Sequence, residues 1–185
     1  LIKNARGVGY DIDLSKPYIV VLQHPVTTEY SSTLKQINET IQAIKKINMQ
    51  TIWLWPNVDA GSDDISKSLR VFREKNKNFK IRFVRHFDAT DYLKIIFNSV
   101  CLVGNSSSAI REGSSLGIPA VNIGNRQSDR ERGKNVIDVI SDKRYIYKAI
   151  KKQIMVKRYP KSKLYGNGNA GVKIANKLSN IKLSI

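Results

Sequence analysis

The 185-residue sequence predicts an α/β fold in which a parallel sheet carries helices on both faces. Short apolar runs, typical of buried parallel strands, alternate along the chain with longer amphipathic segments. This alternation is typical of crossover connections, which join parallel strands and place helices on the faces of the sheet. The composition agrees, since 41% of the residues are hydrophobic and 25% are charged. A chain of this length can bury a substantial core as one domain.

The first elements follow a region without clear periodicity. Residues 1–16 are expected to form a connector, and residues 17–185 a single Rossmann-like domain. The apolar run Tyr18-Ile19-Val20-Val21-Leu22 predicts the first buried strand. A helix is predicted over about 31–48, because apolar residues recur there at helical spacing. Those residues are Leu34, Ile37, Ile41, Ile44 and Ile47.

The middle of the chain repeats this pattern twice. A second strand is predicted at 51–55, and Ser62 is expected to cap a helix that runs to about residue 75. A third strand is predicted at 80–84 and a third helix at 88–98. The side chains of that helix expected to face inward are Tyr92, Leu93, Ile96 and Phe97.

The remaining elements complete the alternation. The fourth strand, at 100–103, leads through Gly104 and Asn105 into a helix capped by Ser106. Two further strands are predicted at 118–123, where Pro119 lies near the start, and at 135–139. The last two predicted helices cover about 141–154 and 169–181.

Polar residues follow five of these strands. In a parallel sheet the carboxyl ends meet at one edge, and ligands bind beyond that edge. The residues concerned are His24 after the first strand, Asn57 and Asp59 after the second, His86 after the third, Asn105 to Ser108 after the fourth, and Arg126 after the fifth. The sequence therefore predicts one site formed by these loops.

The stretch Gly104-Asn105-Ser106-Ser107-Ser108 has the features of an anion site. Free N–H groups in the first turn of a helix attract phosphate, and small hydroxyl side chains allow close approach. Glu112, one to two turns further along, could accept hydrogen bonds from paired sugar hydroxyls. A phosphate cradle followed by a hydroxyl acceptor indicates a nucleotide. A plain serine-capped helix explains this stretch equally well when it is taken alone.

Charge and cysteine content narrow the function classes. The formal net charge of +17 raises nucleic acid as a partner, but the lysines are scattered over helix faces without aromatic interleaving, which favours a solvated surface. The single cysteine, Cys101, lies in an apolar strand, so neither a disulfide framework nor a zinc site is expected. No apolar stretch approaches the roughly 20 residues of a membrane helix. We therefore expect a cytoplasmic protein with no metal, no cofactor, no membrane contact and no bound nucleic acid.

Four stretches together resemble the hydrolysing UDP-N-acetylglucosamine 2-epimerases of sialic-acid biosynthesis. The first three are Gln23-His24-Pro25-Val26-Thr27-Thr28-Glu29, Pro56-Asn57-Val58-Asp59-Ala60-Gly61-Ser62 and Gly104-Asn105-Ser106-Ser107-Ser108-Ala109-Ile110-Arg111-Glu112. The fourth is Val121-Asn122-Ile123-Gly124-Asn125-Arg126-Gln127, with Arg130-Glu131 and Asn135-Val136 beyond it. The resemblance spans about residues 17–180. Each motif alone is modestly specific, but their order and spacing together favour this family.

The resemblance implies a glycosyltransferase-B architecture, of which this chain corresponds to the C-terminal, UDP-binding half. It implies that Ser106 and Ser107 bind the diphosphate, that Glu112 binds the ribose hydroxyls and that Arg126 lies near the phosphates. His24 is the catalytic candidate, acting on the sugar or on the leaving phosphate. Asn57, Asp59 and Asn105 are further candidate substrate-binding residues.

By the same resemblance, UDP and UDP-N-acetylglucosamine are the expected ligands, and the full-length protein is expected to be a homo-oligomer. No base for the C2 proton is identified in this chain, since the family draws acidic groups partly from the other half. The family usually has glycine where this chain has Ala109, whose methyl group could narrow the approach to the nucleotide.

Three alternative functions share some of these features. A non-hydrolysing epimerase would be expected to carry arginine where this chain has Pro25. A retaining glycosyltransferase of the same architecture usually carries two glutamates separated by seven residues, whereas counting eight on from Glu112 leads to Ala120. A nucleic-acid-binding module would explain the charge, and it predicts steeply salt-dependent binding of RNA or DNA in place of selective binding of UDP.

Overall fold

A computed structural model describes residues 7–181 of the chain. Within that range the strands form one seven-stranded sheet. The strands are β1 (Gly7–Gly9), β2 (Tyr18–Leu22), β3 (Gln50–Leu54), β4 (Ile81–Val84), β5 (Cys101–Gly104), β6 (Ala120–Ile123) and β7 (Val136–Val139). The helices are α1 (Thr33–Ile47), α2 (Ser62–Lys75), α3 (Ala89–Asn98), α4 (Ser107–Ile110), α5 (Glu112–Leu116), α6 (Lys143–Ile154) and α7 (Ala170–Ser179). A 3-10 turn over Thr27–Ser32 leads into α1.

The strand order explains where a ligand can bind. From edge to edge the sheet runs β1-β4-β3-β2-β5-β6-β7, and β2 to β7 are parallel. The chain builds outward from β2 through β3 to β4, then returns to place β5 on the other side of β2. Ligands bind at such a reversal, where the connections on either side of it leave in opposite directions and open a crevice. The crevice lies between the carboxyl ends of β2 and β5.

Both faces of the sheet are covered, as predicted. One buried cluster packs α1, α2 and α6 against the face that carries Trp53, which is fully buried. The other packs α3 and α4 against the opposite face, where Tyr18 donates a 2.8 Å hydrogen bond to the Ile95 carbonyl. Successive strand residues alternate between the two clusters because side chains along a strand point to opposite faces. The parallel α/β prediction is confirmed.

The predicted connector contains one strand. Gly7–Gly9 pairs antiparallel with β4 at the edge of the sheet, with Gly7 opposite Val84 and Gly9 opposite Arg82. Two glycines in three residues leave no side-chain alternation from which a strand could be recognised. Residues 1–6 lie outside the described part of the chain, and the boundary at residue 16 stays a prediction.

Two inward-facing assignments are wrong. In α3, Leu93 and Phe97 are 42% and 43% exposed, whereas Ile95 and Ile96 are buried. The buried side of α3 is therefore turned about a quarter turn from the predicted one, and Phe97 lies beneath the Arg158 guanidinium at 5.2 Å. In α1, Leu34 is 47% exposed because it lies at the edge of the buried stripe, which is centred on Ile37 and Ile44.

Helix α2 begins differently from the prediction. Ser62 is its first residue, and Gly61, at φ +92°, occupies the cap position without any side-chain cap bond. Its ends otherwise agree with the sequence pattern, as do those of α1, α3, α6 and α7 to within two residues. Within residues 7–181 no helix is long and apolar enough to cross a membrane.

Candidate functional site

The turn after β5 is built for close approach of two strands. Gly104 has φ +135°, and a Cβ placed there would lie 2.0 Å from the carbonyl oxygen of Leu22 in β2. Only glycine tolerates that geometry. The chain then turns into α4 with Ser106 as N-cap, whose Oγ accepts the Ser108 N–H at 3.3 Å. The predicted serine cap is therefore confirmed.

The predicted single helix after this turn is two short helices. Helix α4 ends at Ile110, Arg111 has ψ −71°, and α5 starts at Glu112. A helix of four residues has only a small dipole, so an anion here would depend on the amides and hydroxyls of the turn. The side chains of Ser106 and Ser107 are partly exposed and available for such contacts.

The charge of Glu112 acts on the Tyr92 phenol, an interaction that the sequence did not reveal. Burial raises the pKa of the Tyr92 phenol, Ser108 lowers it, and the Glu112 carboxylate raises it further. The phenol, the Ser108 hydroxyl and the carboxylate therefore influence one another beyond the serine turn. The sequence predicts only that Tyr92 lies on the packed side of α3, because helical spacing does not show which neighbour a long side chain reaches.

Asn105 connects the loops at the crevice. Its side-chain Nδ2 donates to the His24 carbonyl at 2.8 Å, and its Oδ1 accepts the His24 N–H at 2.7 Å. Its own backbone carbonyl accepts from Arg126 Nη1 at 3.3 Å and from Gln127 Nε2 at 2.9 Å. The residue is 1% exposed and both ends of its amide are occupied. Asn105 therefore positions His24 and Arg126, and its side chain is not free to contact a substrate.

His24 is held as a neutral imidazole. The ring is 5% exposed, and its Nδ1 accepts the Asn57 N–H at 3.1 Å. Burial lowers the pKa of His24 to about 4, the Arg126 charge adds to that effect, and Asp59 opposes it. Because Nδ1 is the acceptor, the neutral ring carries its proton on Nε2. Near neutral pH it can donate one hydrogen bond but carries no charge.

Arg126 lies on the wall of a cavity of about 480 Å³. The other lining residues come from the loops after β2, β3 and β6: Pro25, Val26, Thr27, Thr28, Asp59, Asn125 and Ser128. Glu29 fixes one side, since its carboxylate accepts hydrogen bonds from Gln36 at 2.6 Å and from Asn125. The loop that carries Arg126 is thus tied to the turn that follows β2.

The predicted site residues fall into two adjoining groups. One group is linked by hydrogen bonds or by charge and consists of His24, Asn57, Asp59, Asn105 and Arg126, whereas Ser108 and Glu112 act on Tyr92. The serine turn joins the groups because it begins at Asn105.

The side chains of two other residues singled out in the sequence take no part in these groups. His86 is exposed and makes none of the contacts described above. The Ala109 methyl packs in the buried cluster beneath α3 and α4, so the expected narrowing of the nucleotide approach does not arise from it.

Gln127 is a further positioning residue that its sequence motif does not reveal. It is 3% exposed and bonds the same carbonyl as Arg126. Asn135 plays a comparable part deeper in the fold, where its amide donates to the Ile118 carbonyl at 2.8 Å and accepts from the Ser114 hydroxyl at 2.7 Å. Polar side chains that bond buried backbone groups have no periodic signature in a sequence.

Comparison with known proteins identifies the family. The sequence profile described as UDP-N-acetylglucosamine 2-epimerase matches residues 3–179. The chain is 32% identical over 174 residues to a hydrolysing UDP-N,N'-diacetylbacillosamine 2-epimerase of Legionella pneumophila, covering 94% of this chain and 45% of that protein. It is 40% identical over 139 residues to a polysialic acid biosynthesis protein of Escherichia coli, covering 74% and 35%. The chain thus spans less than half the length of these curated relatives.

Solved structures show the same fold. The UDP-N-acetylglucosamine 2-epimerase of Neisseria meningitidis, solved with UDP-N-acetylglucosamine, superposes with a TM-score of 0.68 at 14% identity, over 92% of this chain and 46% of that one. The enzyme of Methanocaldococcus jannaschii, solved with UDP-N-acetylglucosamine and UDP, gives 0.66 at 16% identity, over 88% and 45%. The profile match covers nearly the whole chain, and on that ground the chain belongs to the UDP-N-acetylglucosamine 2-epimerase family.

Proposed function

We propose that this chain is the UDP-binding half of a hydrolysing UDP-N-acetylglucosamine 2-epimerase, which converts UDP-N-acetylglucosamine and water into N-acetylmannosamine and UDP. The observation that carries the proposal is the set of hydrogen bonds that joins Asn105 to His24, Arg126 and Gln127, here called the hub. It holds a neutral histidine and an arginine beside a serine-capped turn, at the point where the strand order reverses. Donors for a diphosphate are thereby assembled before any ligand arrives.

The diphosphate is assigned to the serine turn and Arg126. The amides and hydroxyls of Ser106 and Ser107 donate to phosphate oxygens, because anions commonly accept hydrogen bonds at such turns. The guanidinium of Arg126 supplies positive charge from the opposite loop and can bind two oxygens at once. Glu112 accepts hydrogen bonds from the ribose hydroxyls, with Tyr92 closing that side.

Cleavage of the anomeric bond requires a hydrogen-bond donor at the leaving diphosphate, and we assign that role to His24. When the anomeric C–O bond breaks, both bonding electrons leave with UDP, and the C2 proton is lost to a base. Water then adds to the resulting double bond to give N-acetylmannosamine. Negative charge grows on the departing diphosphate, where the Nε2–H of His24 and the Arg126 guanidinium can stabilise it. The base for C2 is assigned to the half of the longer relatives that this chain does not span.

Release of free sugar is supported by two features. Pro25 follows His24 where the non-hydrolysing alternative is expected to carry arginine. The Legionella relative is named as hydrolysing. That relative acts on a diacetamido sugar nucleotide, so the choice of sugar is the finer part of the proposal. A cytoplasmic location, a full-length homo-oligomer and the absence of a nucleic-acid partner stay predictions from the sequence.

Binding of UDP to the purified chain tests the assignment of Glu112. Replacing Glu112 by Ala should weaken UDP by about tenfold or more, because hydrogen bonds to a charged group contribute roughly 1.5–3 kcal/mol. Inorganic pyrophosphate, which lacks ribose, should bind equally well to both proteins. The matched control is Glu74→Ala, which removes an exposed carboxylate from α2. Equal losses for UDP and pyrophosphate would show that Glu112 does not bind ribose.

Turnover tests whether catalysis requires the half of the longer relatives that this chain does not span. The chain alone should bind UDP yet release no UDP from UDP-N-acetylglucosamine, since catalysis requires acid, base and donors held together around the sugar. Joined to the N-terminal half of the Legionella relative, it should yield N-acetylmannosamine and UDP in equal amounts. UDP-N-acetylmannosamine as the product would favour the non-hydrolysing alternative, and robust turnover by the chain alone would place a complete active site within it.

A further inference from the structure

A second, larger cavity lies on the face of the sheet covered by α2. Its volume is about 870 Å³. Its walls are Trp55 and Pro56 after β3, Phe83 and Arg85 at the end of β4, Ser66, Arg70 and Arg73 of α2, and Gly7 and Val8 of β1. None of these residues lines the cavity at Arg126. The two cavities are therefore separate.

The packing of α2 places two of the arginines on this wall. Leu69 and Phe72 are buried against the sheet, and Arg70 and Arg73 each follow one of them in sequence. Residues three apart lie on the same side of a helix, so the two guanidinium groups extend together over the rim. The Arg70 guanidinium carbon lies 5.9 Å from the centre of the Trp55 ring, which orients that side chain.

The positive charges on the wall of this cavity are not balanced by acidic residues among the described residues that line it. Among residues 7–181, those that line the cavity include three arginines and no aspartate or glutamate. None of the ion pairs found within residues 7–181 involves Arg70, Arg73 or Arg85. The segment 1–6, which precedes Gly7, has no acidic residue. Three like charges around one cavity repel each other, and a bound anion would remove that repulsion.

The remaining walls suit a flat or apolar body. Trp55 is partly exposed and offers an aromatic face, and it is supported from below by the buried Phe83 ring, whose centre lies 5.8 Å away. The volume lies within the range of roughly 300–1,000 Å³ that is usual for small-molecule sites. Arginine is the residue that best combines phosphate binding with stacking on planar groups.

We propose that this cavity binds an organic phosphate of mononucleotide size, with the phosphate at Arg70, Arg73 and Arg85 and the ring against Trp55. The site goes beyond the proposed function, since it takes a second phosphorylated compound on another face of the sheet. Binding there would not displace UDP from the serine turn.

Calorimetric titration with AMP tests this site, because AMP has a phosphate, a stacking base and no uracil. The wild-type chain should bind AMP more tightly than it binds adenosine or inorganic phosphate. The double variant Arg70→Ala/Arg73→Ala should lose about tenfold or more in affinity for AMP. The control Lys67→Ala/Lys75→Ala removes the same charge from exposed positions of the same helix and should bind AMP like the wild type. Circular dichroism melts verify that each variant is folded.

Three outcomes would overturn the proposal. Equal losses in the arginine and lysine pairs would show that AMP responds only to net charge. Loss of AMP binding in Arg126→Ala would place AMP in the UDP site. Absence of AMP binding to the wild-type chain would refute the site directly. Each result is independent of the Glu112 experiment, because that experiment follows UDP and pyrophosphate.

Discussion

Acid should destabilise this protein through His24, because the fold holds that imidazole in its neutral form. Protonation would break the hydrogen bond that Nδ1 accepts from the Asn57 N–H and would place a second positive charge beside Arg126. The pKa of His24 is therefore lowered to about 4, chiefly by burial. In an unfolded chain it is about 6.5. Below that value the unfolded chain takes up a proton that the folded chain does not, so stability falls with the pH.

The window and the size of the effect follow from these two values. The contribution of His24 is fully present above pH 6.5, is lost as the pH falls from 6.5 towards 4, and does not change further below that. The difference between the folded and unfolded pKa values corresponds to about 3 kcal/mol in total. Between pH 7 and pH 4.5 the expected loss is roughly 2.5 kcal/mol, a large part of the stability of a typical domain.

Urea unfolding at several values between pH 7 and 4.5 measures this loss. The comparison is between the wild type and His24→Asn, because an asparagine oxygen can replace Nδ1 as acceptor but does not titrate. The free energy of unfolding of the wild type minus that of His24→Asn should fall by roughly 2.5 kcal/mol from pH 7 to pH 4.5, whatever its value at pH 7. His86→Asn, at the exposed histidine, should follow the wild type. An unchanged difference for His24→Asn, or an imidazole NMR titration of His24 centred near pH 6.5, would refute the reasoning.

The remaining predictions concern the hub and the strand contact beside it. Gly104→Ala should lower the free energy of unfolding by more than about 3 kcal/mol, because its Cβ would overlap the Leu22 carbonyl oxygen. Gly124→Ala, also at positive φ but in open space, should lower it by about 1 kcal/mol. Equal losses in urea unfolding would refute the close contact at Gly104. Asn105→Asp replaces the donor to the His24 carbonyl with an acceptor, so we expect a loss of roughly 2–4 kcal/mol and weaker UDP binding. Wild-type stability in that variant would contradict the hub. Arg126→Lys keeps the charge but not the two-pronged geometry, so UDP affinity should fall several-fold in calorimetry, and turnover of a full-length enzyme should fall further; unchanged values would remove Arg126 from the mechanism.

Secondary structure followed from the sequence wherever side-chain patterns were strong. The apolar runs of β2 and β3 and the repeat of α1 located those elements within two residues of their observed ends. The prediction failed where the pattern was weak or short. β1 is mostly glycine, and the break at Arg111 divides a region too short for helical periodicity to reveal a discontinuity. In α3, apolar residues occur on more than one side, so spacing alone could not decide that Ile95 and not Leu93 would be buried.

The residue types of the candidate site were also predictable, but their arrangement was not. The rule for parallel sheets brought His24, Asn105 and Arg126 to one edge without any knowledge of strand order. It could not show that β5 returns to lie beside β2, which is what allows Asn105 to bond both backbone groups of His24. Tyr92 and Gln127 entered the site only through such contacts.

By itself the sequence determined the alternation of strands and helices, the edge at which polar loops gather and the family to which its motifs belong. Each of these depends on residues close together in the chain, where periodicity and turn chemistry act. Only the tertiary structure decided the neutral state of His24, the role of Asn105 as a positioning residue and the meeting of three arginines beside Trp55. These properties depend on burial and on distances between segments many residues apart, which the packing of the whole sheet sets and no local pattern encodes.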